Sequence, residues 1–376
     1  MGCVERRYWH LAYGIFVKCK VFICLEKQPS YVEEKGGIMS NVFRSAAMAA
    51  IFVSCATAAS AQTPEAFYKG RNVSLVMGTG PGGSYDLYGR LVATHLAKQI
   101  PGNPNIVVEH MPGAGGAIAA NFIFNTAPQD GSRILLTHSL PLIEKLQSDG
   151  VRFQSKRMQW LGAYDQISQM LAIWHTSQGR TIDDLKTAPV VLGSMGRYHL
   201  SYQWATLLKS ALGANYRVIS GFPSGGELNL AMERGEIAGW SIAWENLTGG
   251  NADWLRDRKV IIPVQFTLTR MPELPDVPTL IELSQGENKE IAEFLAAGTP
   301  HARGLAVGPG VPADRVAALR SAFDAMVKDA AFLDEAKRRN LSITPRNAQE
   351  VADLAAKIVD VSPEFIVKVK KVVGGE

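Results

Sequence analysis

The chain has 376 residues, of which 47% are hydrophobic and 20% are charged, a composition typical of a globular protein with room for two separate cores. The formal net charge is +4, but residues 1–61 hold seven Lys/Arg and four Asp/Glu, which leaves 32 of the 39 basic and 31 of the 35 acidic residues in the rest of the chain. This near neutrality, with no basic stripe, argues against a nucleic-acid-binding protein.

Residues 39–61 are predicted to form a signal peptide that is removed on export. Residues 39–44 resemble a short n-region with one cation, and residues 46–59 form an apolar stretch that is too short to span a bilayer. Ala-Ser-Ala at 59–61 is an A-x-A site, so we expect cleavage near Ala61 and a periplasmic mature protein. Residues 1–38 are then predicted to lie upstream of the true translation start.

Two other export signals remain open in this region. Arg6-Arg7 permits a twin-arginine signal, although Lys18 and Lys20 interrupt the stretch that follows. Cys55 permits a lipid anchor, although the residues before it match a lipobox poorly.

Cysteine usage agrees with export. All four cysteines precede the predicted cleavage site, so the mature chain has no disulfide, thiolate metal ligand or cysteine nucleophile; they are Cys3, Cys19, Cys24 and Cys55. No later stretch approaches about 18 continuous apolar residues, which predicts a soluble mature protein.

Short strands alternate with amphipathic helices from residue 72 onward. Strands at 72–77, 105–110 and 133–139 are separated by helical segments at 86–100 and 112–127. This βαβαβ order predicts a parallel sheet flanked by helices.

A second unit of the same kind begins near Gln166. Its predicted strands lie at 170–176, 189–194, 216–220 and 237–244, and its predicted helices at 181–187, 199–211 and 226–234. The chain then returns to a strand at 304–310 and two amphipathic helical regions, the second of which opens with an N-cap pair, Asn347 and Glu350. The order predicts an α/β fold with two lobes, each a mainly parallel sheet flanked by helices.

Four glycine-rich turns lie where ligands collect in such sheets. Turns at 78–86, 112–116 and 193–196 follow strands, and a turn at 223–227 opens a helix. Glycine lets backbone N–H groups approach a ligand closely, and a helix start adds the positive end of its dipole. We therefore expect these turns to form an anion-binding cleft.

The first turn also permits a different function. Gly78, Gly80 and Gly83 spell G-x-G-x-x-G, and Glu109 ends the next strand, where a ribose-binding acid would lie. An exported, Rossmann-type NAD-dependent oxidoreductase is therefore an alternative. Pro81 removes one backbone donor from this loop, and a diffusible nicotinamide cofactor is scarce outside the cytoplasm.

Catalytic and metal-binding patterns are absent from the sequence. There is no G-x-x-x-x-G-K-[ST], and Ser194 does not stand in a G-x-S-x-G elbow. The histidines after residue 61 show no H-x-H or H-E-x-x-H spacing. The residues alone therefore give no support for a catalytic residue or a metal site.

An ordered set of motifs resembles one family. "GPGGSYDLYGRLVA", "VVEHMPGAGGAIAAN", "APQDGSRILL", "GSMGRYHL", "MERGEIAG", "PELPDVPTLIEL" and "VPADRVAALRSAF" occur in the order found in Bug-type solute receptors of tripartite tricarboxylate transporters. The resemblance covers residues 70 to about 365. It implies a two-lobed periplasmic binding fold (type 2-like) that closes on a small carboxylate, without catalysis or cofactor.

The resemblance also implies which residues line the ligand cleft. They are Gly80, Gly82, Gly83, Ser84, Tyr85 and Asp86 in the first turn, Gly115 and Gly116 in the second, Ser139 after the third strand, and Ser194, Gly196 and His199 in the second lobe. Asp86 is expected either to cap its helix or to orient polar ligand groups.

Departures from the family pattern add further candidates. His110-Met111 stands where relatives often have Asn-Arg, and Arg197 could form a bidentate clamp on a carboxylate. Trp240 and Trp244 stand where many relatives have smaller residues. Trp244 is included among the ligand-binding residues, and an aromatic acid becomes plausible if the tryptophans face the cleft.

These interpretations predict the lobe boundaries, the ligand class and the partners of the protein. We expect lobe 1 to comprise residues 62–165 and 270–376, and lobe 2 residues 166–269. The ligand is expected to be a small organic acid, a dicarboxylate or an aromatic acid among them, and the protein a monomer that binds no nucleic acid. Its partner would be the membrane subunits of the transporter or, for an orphan ligand-sensing receptor, a sensor ectodomain.

Overall fold

The computed structural model describes residues 4–12, 15–23, 62–147 and 149–374, and the chain forms two compact units, Met1–Ala61 and Gln62–Glu376. In the first unit, strand β1 (Val4–Ala12) pairs with strand β2 (Ile15–Ile23) as an antiparallel hairpin. The predicted signal peptide, its cleavage site and Cys55 lie outside the described residues.

The second unit alternates strands and helices along the chain. Its strands are β3 (Asn72–Met77), β4 (Asn105–His110), β5 (Arg133–Leu136), β6 (Gln159–Asp165), β7 (Gln169–Trp174), β8 (Val191–Ser194), β9 (Arg217–Ser220), β10 (Gly239–Ala243), β11 (Val260–Gln265), β12 (Arg303–Val307) and β13 (Arg346–Asn347).

The helices of the second unit lie between and after these strands. They are α1 (Pro64–Tyr68), α2 (Ser84–Gln99), α3 (Ala117–Asn121), α4 (Leu140–Leu146), α5 (Ile182–Thr187), α6 (Leu200–Leu212), α7 (Gly225–Glu233), α8 (Ala252–Arg256), α9 (Leu280–Leu283), α10 (Gly286–Ala297), α11 (Ala313–Met326), α12 (Ala330–Arg338), α13 (Ala348–Val359) and α14 (Pro363–Val373). Among the described residues, no helix is both long enough and apolar enough to cross a lipid bilayer.

The strands form two mixed sheets. The six-stranded sheet has the order β13-β6-β12-β5-β3-β4 and the five-stranded sheet the order β11-β7-β10-β8-β9. Parallel pairing is confined to β5-β3-β4 and β10-β8-β9, and the remaining neighbours are antiparallel. The predicted α/β fold class is confirmed, but the sheets are mixed rather than mainly parallel. The antiparallel strands include β6, β7 and β12, which adjoin the passages between the sheets and lack the crossover helix that parallel pairing requires.

Helix α2 illustrates how the sequence specifies the core. Its buried apolar side chains recur at helical spacing, at Tyr85, Tyr88, Leu91, Val92 and Leu96. Gly89 permits the close approach of α2 to the sheet, because a Cβ there would lie 2.5 Å from the sulfur of Met77 in β3. Full burial of one large apolar side chain stabilises the fold by about 1.5–3 kcal/mol.

The glycine turns begin where parallel strands end. Strands β3 and β4 end at Met77 and His110, and β8 and β9 end at Ser194 and Ser220. Each of these residues lies within one of the four predicted turns or shortly before it. The carboxyl edges of the two parallel segments therefore carry all four turns.

The chain passes between the sheets twice. Only residues 166–168 separate β6 from β7, and the return runs from helix α10 through a 3₁₀ turn at Thr299–His301 into β12. Helix α10 packs against helix α6, beside the five-stranded sheet. The lobe boundaries stay a prediction, and this packing favours a second boundary near residue 298 rather than near 270.

Candidate functional site

The first and fourth glycine turns touch each other through their backbones. A Cβ on Gly82 would lie 3.2 Å from the Cα of Gly226, and a Cβ on Gly83 would lie 3.2 Å from the Cα of Gly225. Gly82 and Gly83 have φ angles of +82° and +80°, in the region that favours glycine. The Gly80 amide donates to the carbonyl oxygen of Pro223 at 2.9 Å.

The second and third turns form a parallel contact. A Cβ on Gly115 would lie 3.0 Å from the amide nitrogen of His199, and a Cβ on Gly196 would lie 3.5 Å from the amide nitrogen of Gly115. A Cβ on Gly116 would lie 2.9 Å from the imidazole of His138. All four turns therefore meet in one region, which we call the cleft.

Three helices point their N-termini at the cleft. Helix α2 begins after Gly83, which supplies no side-chain cap, and helix α7 begins beside it at Gly225. Helix α6 begins after His199, opposite Gly115. The first four N–H groups of a helix have no partner within it, and the dipole places about half a positive charge at that end. The cleft therefore attracts negative charge without needing a cationic side chain.

The cleft is closed between two halves of the molecule, which we define as the six-stranded sheet and the five-stranded sheet, each with its turns and helices. One inner cavity of about 20 Å³ lies between Gly83, Tyr85 and Trp240, and a second of about 10 Å³ lies between Tyr85, Ser139 and Gln203. Each is large enough for about one water molecule. A groove of about 320 Å³ opens at the rim between Gly113 and Phe222 and shares His199 with both cavities. An organic acid can reach the inner cavities only when the halves separate.

No carboxylate, lysine or arginine side chain lines either inner cavity or the rim groove in the described part of the chain. The two lining histidines are neutral at ordinary pH. Burial, with a smaller effect of His199, lowers the pKa of His138 from 6.5 to about 3, and burial lowers the pKa of His199 from 6.5 to about 4. Neither imidazole therefore adds positive charge to the cleft, and an anion would be attracted by backbone dipoles.

His199 has a defined tautomer. The backbone amide of Ser201 donates to Nδ1 of His199 at 3.1 Å, so the proton of the neutral ring lies on Nε2. Because His199 lines both inner cavities and the rim groove, its Nε2–H is a donor available to a ligand.

Four buried polar atoms around the inner cavities have no hydrogen-bond partner among the described residues. They are Oγ1 of Thr79, Nε2 of His138, Oγ of Ser139 and Oε1 of Gln203. Buried polar groups are nearly always paired, and leaving one unpaired costs about 1–3 kcal/mol. A polar ligand in the cleft would supply partners to these atoms.

Asp86 supports the first turn rather than lining a cavity. Its carboxylate accepts the Gly82 amide at 3.1 Å and forms an ion pair with Arg90 at 3.1 Å. His110, at the end of β4, donates from Nδ1 to the Thr79 carbonyl at 2.8 Å. Both side chains therefore hold the turn in the shape that presents its backbone to the cleft.

The structure brings most of the predicted residues together. Gly82, Gly83, Ser84, Tyr85, Gly115, Ser139, Gly196 and His199 line the inner cavities or the rim groove. Gly80 and Gly116 lie directly behind them, in the backbone contacts described above.

Three predicted residues lie elsewhere. Ser194 is buried and donates its hydroxyl to the Ile219 carbonyl at 3.0 Å, so the neighbouring strand satisfies it. Arg197 is exposed on the outer side of its turn and lines none of the cleft cavities. Strand β10 ends at Ala243 and the chain then turns, which carries Trp244 into a separate groove beside Leu333.

The sequence left open whether Trp240 faces the cleft, and it did not lead us to Gln203. Trp240, not Trp244, faces the glycine turns: its ring atom Cη2 would lie 3.0 Å from a Cβ on Gly225, and its Nε1 donates to Asn229 at 3.1 Å. Gln203 was missed, although a signal existed. It stands four residues after His199, so the two side chains share one face of helix α6.

A buried ion cluster lies beside the first passage between the sheets. Arg303 is fully buried and donates to Asp165 at 2.8 Å and to Glu245 at 2.7 Å. Asp165 ends β6 of the six-stranded sheet, whereas Glu245 follows β10 of the five-stranded sheet. The cluster therefore joins the two sheets through charge-assisted hydrogen bonds.

The described residues contain no group of three or more His, Cys, Asp or Glu that could hold a metal ion.

Comparisons with known proteins agree with this architecture. No protein-family model matches the chain. The chain is similar to a UPF0065 protein of Bordetella bronchiseptica, with 22% identity over 280 residues that cover 72% of this chain and 80% of that protein. It is also similar to a UPF0065 protein encoded between tcbD and tcbE in a Pseudomonas species, with 24% identity over 70% of this chain and 79% of that protein.

Solved structures match more extensively. The periplasmic binding protein BugD superimposes with a TM-score of 0.68 at 21% identity, over 82% of this chain and 99% of BugD. MatC from Rhodopseudomonas palustris, with bound malate, gives a TM-score of 0.64 at 20% identity, over 80% of this chain and 99% of MatC. Rpa4515 of the same organism, with adipate, gives a TM-score of 0.64 at 16% identity, over 81% of this chain and 97% of Rpa4515. The chain therefore has the fold of periplasmic binding proteins such as BugD, and its ordered motifs resemble those of the Bug-type solute receptors.

Proposed function

We propose that the protein is a Bug-type periplasmic receptor that captures a small organic acid in the cleft and presents it to the membrane subunits of a tripartite tricarboxylate-type transporter. The observation that carries the proposal is the convergence of three helix N-termini on a cleft that no charged side chain of the described residues lines. Such a cleft recognises negative charge through backbone dipoles.

The energetics suit reversible capture. A hydrogen bond to a charged group contributes about 1.5–3 kcal/mol, and the first N–H groups of helices α2 and α7, together with Nε2–H of His199, offer several donors. Four such bonds, less the cost of ordering the ligand, give the roughly 8 kcal/mol of a micromolar receptor. A receptor must also release its ligand, and this affinity permits it.

Lobe closure is the proposed mode of capture. The inner cavities are closed by contacts between Gly82 and Gly83 on one side and Gly225 and Gly226 on the other. An acid would enter while the two lobes stand apart, and its charge would then draw the helix termini together. The predicted signal at 39–61 would place this cycle in the periplasm.

The relatives support the ligand class. MatC is described with malate and Rpa4515 with adipate, and both ligands are small carboxylates. These structures share the fold of this chain, and we infer the same class of ligand for its cleft.

The residues of the proposed dinucleotide site do not support the oxidoreductase alternative. In the G-x-G-x-x-G loop, Pro81 removes one of the backbone donors that would bind a pyrophosphate. Glu109, the candidate ribose ligand, instead accepts a hydrogen bond from Arg133 at 2.6 Å. The protein is accordingly proposed to bind without catalysis or cofactor.

Thermal unfolding of the purified chain with a panel of acids tests the proposal. A ligand at about 100 times its Kd stabilises the native state by about 2.7 kcal/mol. We expect at least one dicarboxylic, hydroxylated or aromatic acid to raise Tm by several degrees, and NAD and NADP to leave it unchanged. Stabilisation by a nucleotide alone, or by none of the acids, would refute the proposal.

A further inference from the structure

The smaller inner cavity is a distinct polar subsite within the cleft. It is lined by His138 and Ser139 from one half and by Gln203 from the other, and each of these residues has a buried polar atom without a partner among the described residues. The larger inner cavity adjoins it, since both are lined by Tyr85, Ile167 and His199. A ligand anchored at the glycine turns can therefore extend its far end into this subsite.

The orientation of Gln203 defines what the subsite accepts. Its amide nitrogen donates to the Tyr198 carbonyl at 3.2 Å, so Oε1 is the atom left without a partner. A flipped amide would set two oxygens against each other. Oε1 can only accept a hydrogen bond, whereas the Ser139 hydroxyl can donate one. A ligand group that both donates and accepts satisfies both atoms.

The electrostatics of the subsite disfavour a ligand end group that carries a charge. A second carboxylate would place an oxygen against the lone pairs of Oε1 of Gln203. Among the described residues no carboxylate lines the subsite to balance an ammonium group, and the positive end of the α6 dipole lies at its edge. A neutral hydroxyl group avoids both the repulsion that a carboxylate would meet and the unbalanced charge that an ammonium group would bring.

Resting on the proposed function, we propose that the preferred ligand is a hydroxylated monocarboxylic acid. Its single carboxylate binds at the glycine turns, and its hydroxyl donates to Oε1 of Gln203 and accepts from Ser139. Gln203 is thereby a specificity-determining residue, which selects a hydroxyl over a charged or apolar end.

Isothermal titration of the purified chain with matched acids tests this inference. One set comprises γ-hydroxybutanoate, glutarate, γ-aminobutanoate and pentanoate, which differ only in the end group; shorter aliphatic and para-substituted aromatic sets cover other lengths. At the length that fits best, we expect the hydroxy acid to bind at least about tenfold more tightly than the other members, a difference of about 1.4 kcal/mol.

The variant Gln203→Met tests the assignment to this side chain. Methionine has a similar length but no amide oxygen, so the preference for the hydroxy acid over the methyl analogue should disappear while the methyl analogue binds as before. Gln349→Met, the same change on the exposed surface of helix α13, should leave the preference unchanged. If Gln203→Met is unstable, Ser139→Ala should reduce the same ratio.

Each outcome is decisive. A dicarboxylate, amino acid or methyl analogue that binds most tightly would overturn the inference and leave the proposed function standing. A hydroxyl preference that persists in both Gln203→Met and Ser139→Ala would overturn the subsite. Failure of every acid in every set to bind would overturn the proposed function, and the inference with it.

Discussion

The backbones of Gly83 and Gly225 are in van der Waals contact across the cleft: a Cβ on Gly83 would lie 3.2 Å from the Cα of Gly225. These residues belong to turns that follow strands of different sheets. Glycine backbones therefore set how closely the two turns can approach. A side chain added at this contact should destabilise the closed state and leave the open state unaffected.

Gly226→Val is expected to impair closure without weakening either half. Gly226 lies in helix α7 with an ordinary φ, and its added Cβ would lie 3.3 Å from the Cα of Gly82. We expect the affinity for the best acid to fall by about tenfold, since about 1.4 kcal/mol of closure energy is lost. Calorimetric titration measures the affinity, and thermal unfolding without ligand should show a nearly unchanged Tm.

A matched control lies on the same helix. Leu230 is 42% exposed and lines none of the cleft cavities, so Leu230→Val adds a valine to α7 away from the contact. Equal losses of affinity in both variants would contradict the assignment of Gly226 to the closure contact.

Asp86→Ala is expected to loosen the first turn. It removes the acceptor of the Gly82 amide and the partner of Arg90, and a lost interaction of this kind costs about 1 kcal/mol of folding free energy. Ligand affinity should fall as well, because the turn no longer holds its backbone in place. Urea unfolding measures the stability, and Asp86→Asn, which keeps an acceptor oxygen, should lose less. Equal stability of Asp86→Ala and the parent would exclude this supporting role.

Arg303→Met is expected to be severely destabilising. It leaves the carboxylates of Asp165 and Glu245 without their common partner at a buried position, and breaking a buried ion pair in this way costs about 3–5 kcal/mol. A double-mutant cycle with Glu245→Gln should show a coupling of about 0.5–3 kcal/mol, because the second change relieves one of the unpaired charges. A loss below about 1 kcal/mol in urea unfolding would contradict the prediction.

The free energy of unfolding should decrease, and the native state become less stable, as the pH falls below 6.5. Burial lowers the pKa of His199 from 6.5 to about 4, and burial, with smaller effects of His199 and Arg346 respectively, lowers the pKa of His138 and His301 from 6.5 to about 3. Between pH 6.5 and these values the unfolded chain binds protons that the native protein does not. Each histidine therefore reduces stability by about 1.4 kcal/mol per pH unit in this range and by nothing above it.

His301→Leu isolates one of these contributions outside the cleft. His301 is fully buried next to Trp160, with a ring distance of 6.4 Å. The variant should unfold with a slope against pH that is smaller by about 1.4 kcal/mol per unit below pH 6.5. An unchanged slope in urea unfolding at pH 7.5, 6 and 5 would show that His301 titrates normally.

Local features of the fold could be predicted from the sequence. The alternating strands and helices were evident from periodicity, and the N-cap pair at the start of α13 is confirmed, with Glu350 accepting the Asn347 amide at 2.7 Å. Glycine after a strand marked all four turns, and in the first two turns the positive φ angles of Gly82, Gly83, Gly115 and Gly116 favour glycine. Such features depend on neighbours in sequence, which a linear pattern records.

Features that join distant segments could not be predicted. Arg303 meets Asp165 and Glu245 across 138 and 58 residues of sequence, and nothing in the local pattern indicates that contact. The antiparallel half of each sheet likewise depends on where the chain crosses between them. Trp240 and Trp244 stand four residues apart, but the end of strand β10 between them sends the second away from the cleft.

The absence of charged side chains around the cleft, in the part of the chain that the structure describes, bears on how such receptors can diversify. An attraction supplied by peptide groups survives almost any exchange of side chains, whereas one supplied by an arginine is lost in a single substitution. Replacements at Met195, Gln203 or Trp240 can therefore alter which metabolite fits while the affinity for anions persists. A gene duplicate of this scaffold starts with its anchoring chemistry intact and needs to evolve only its selectivity.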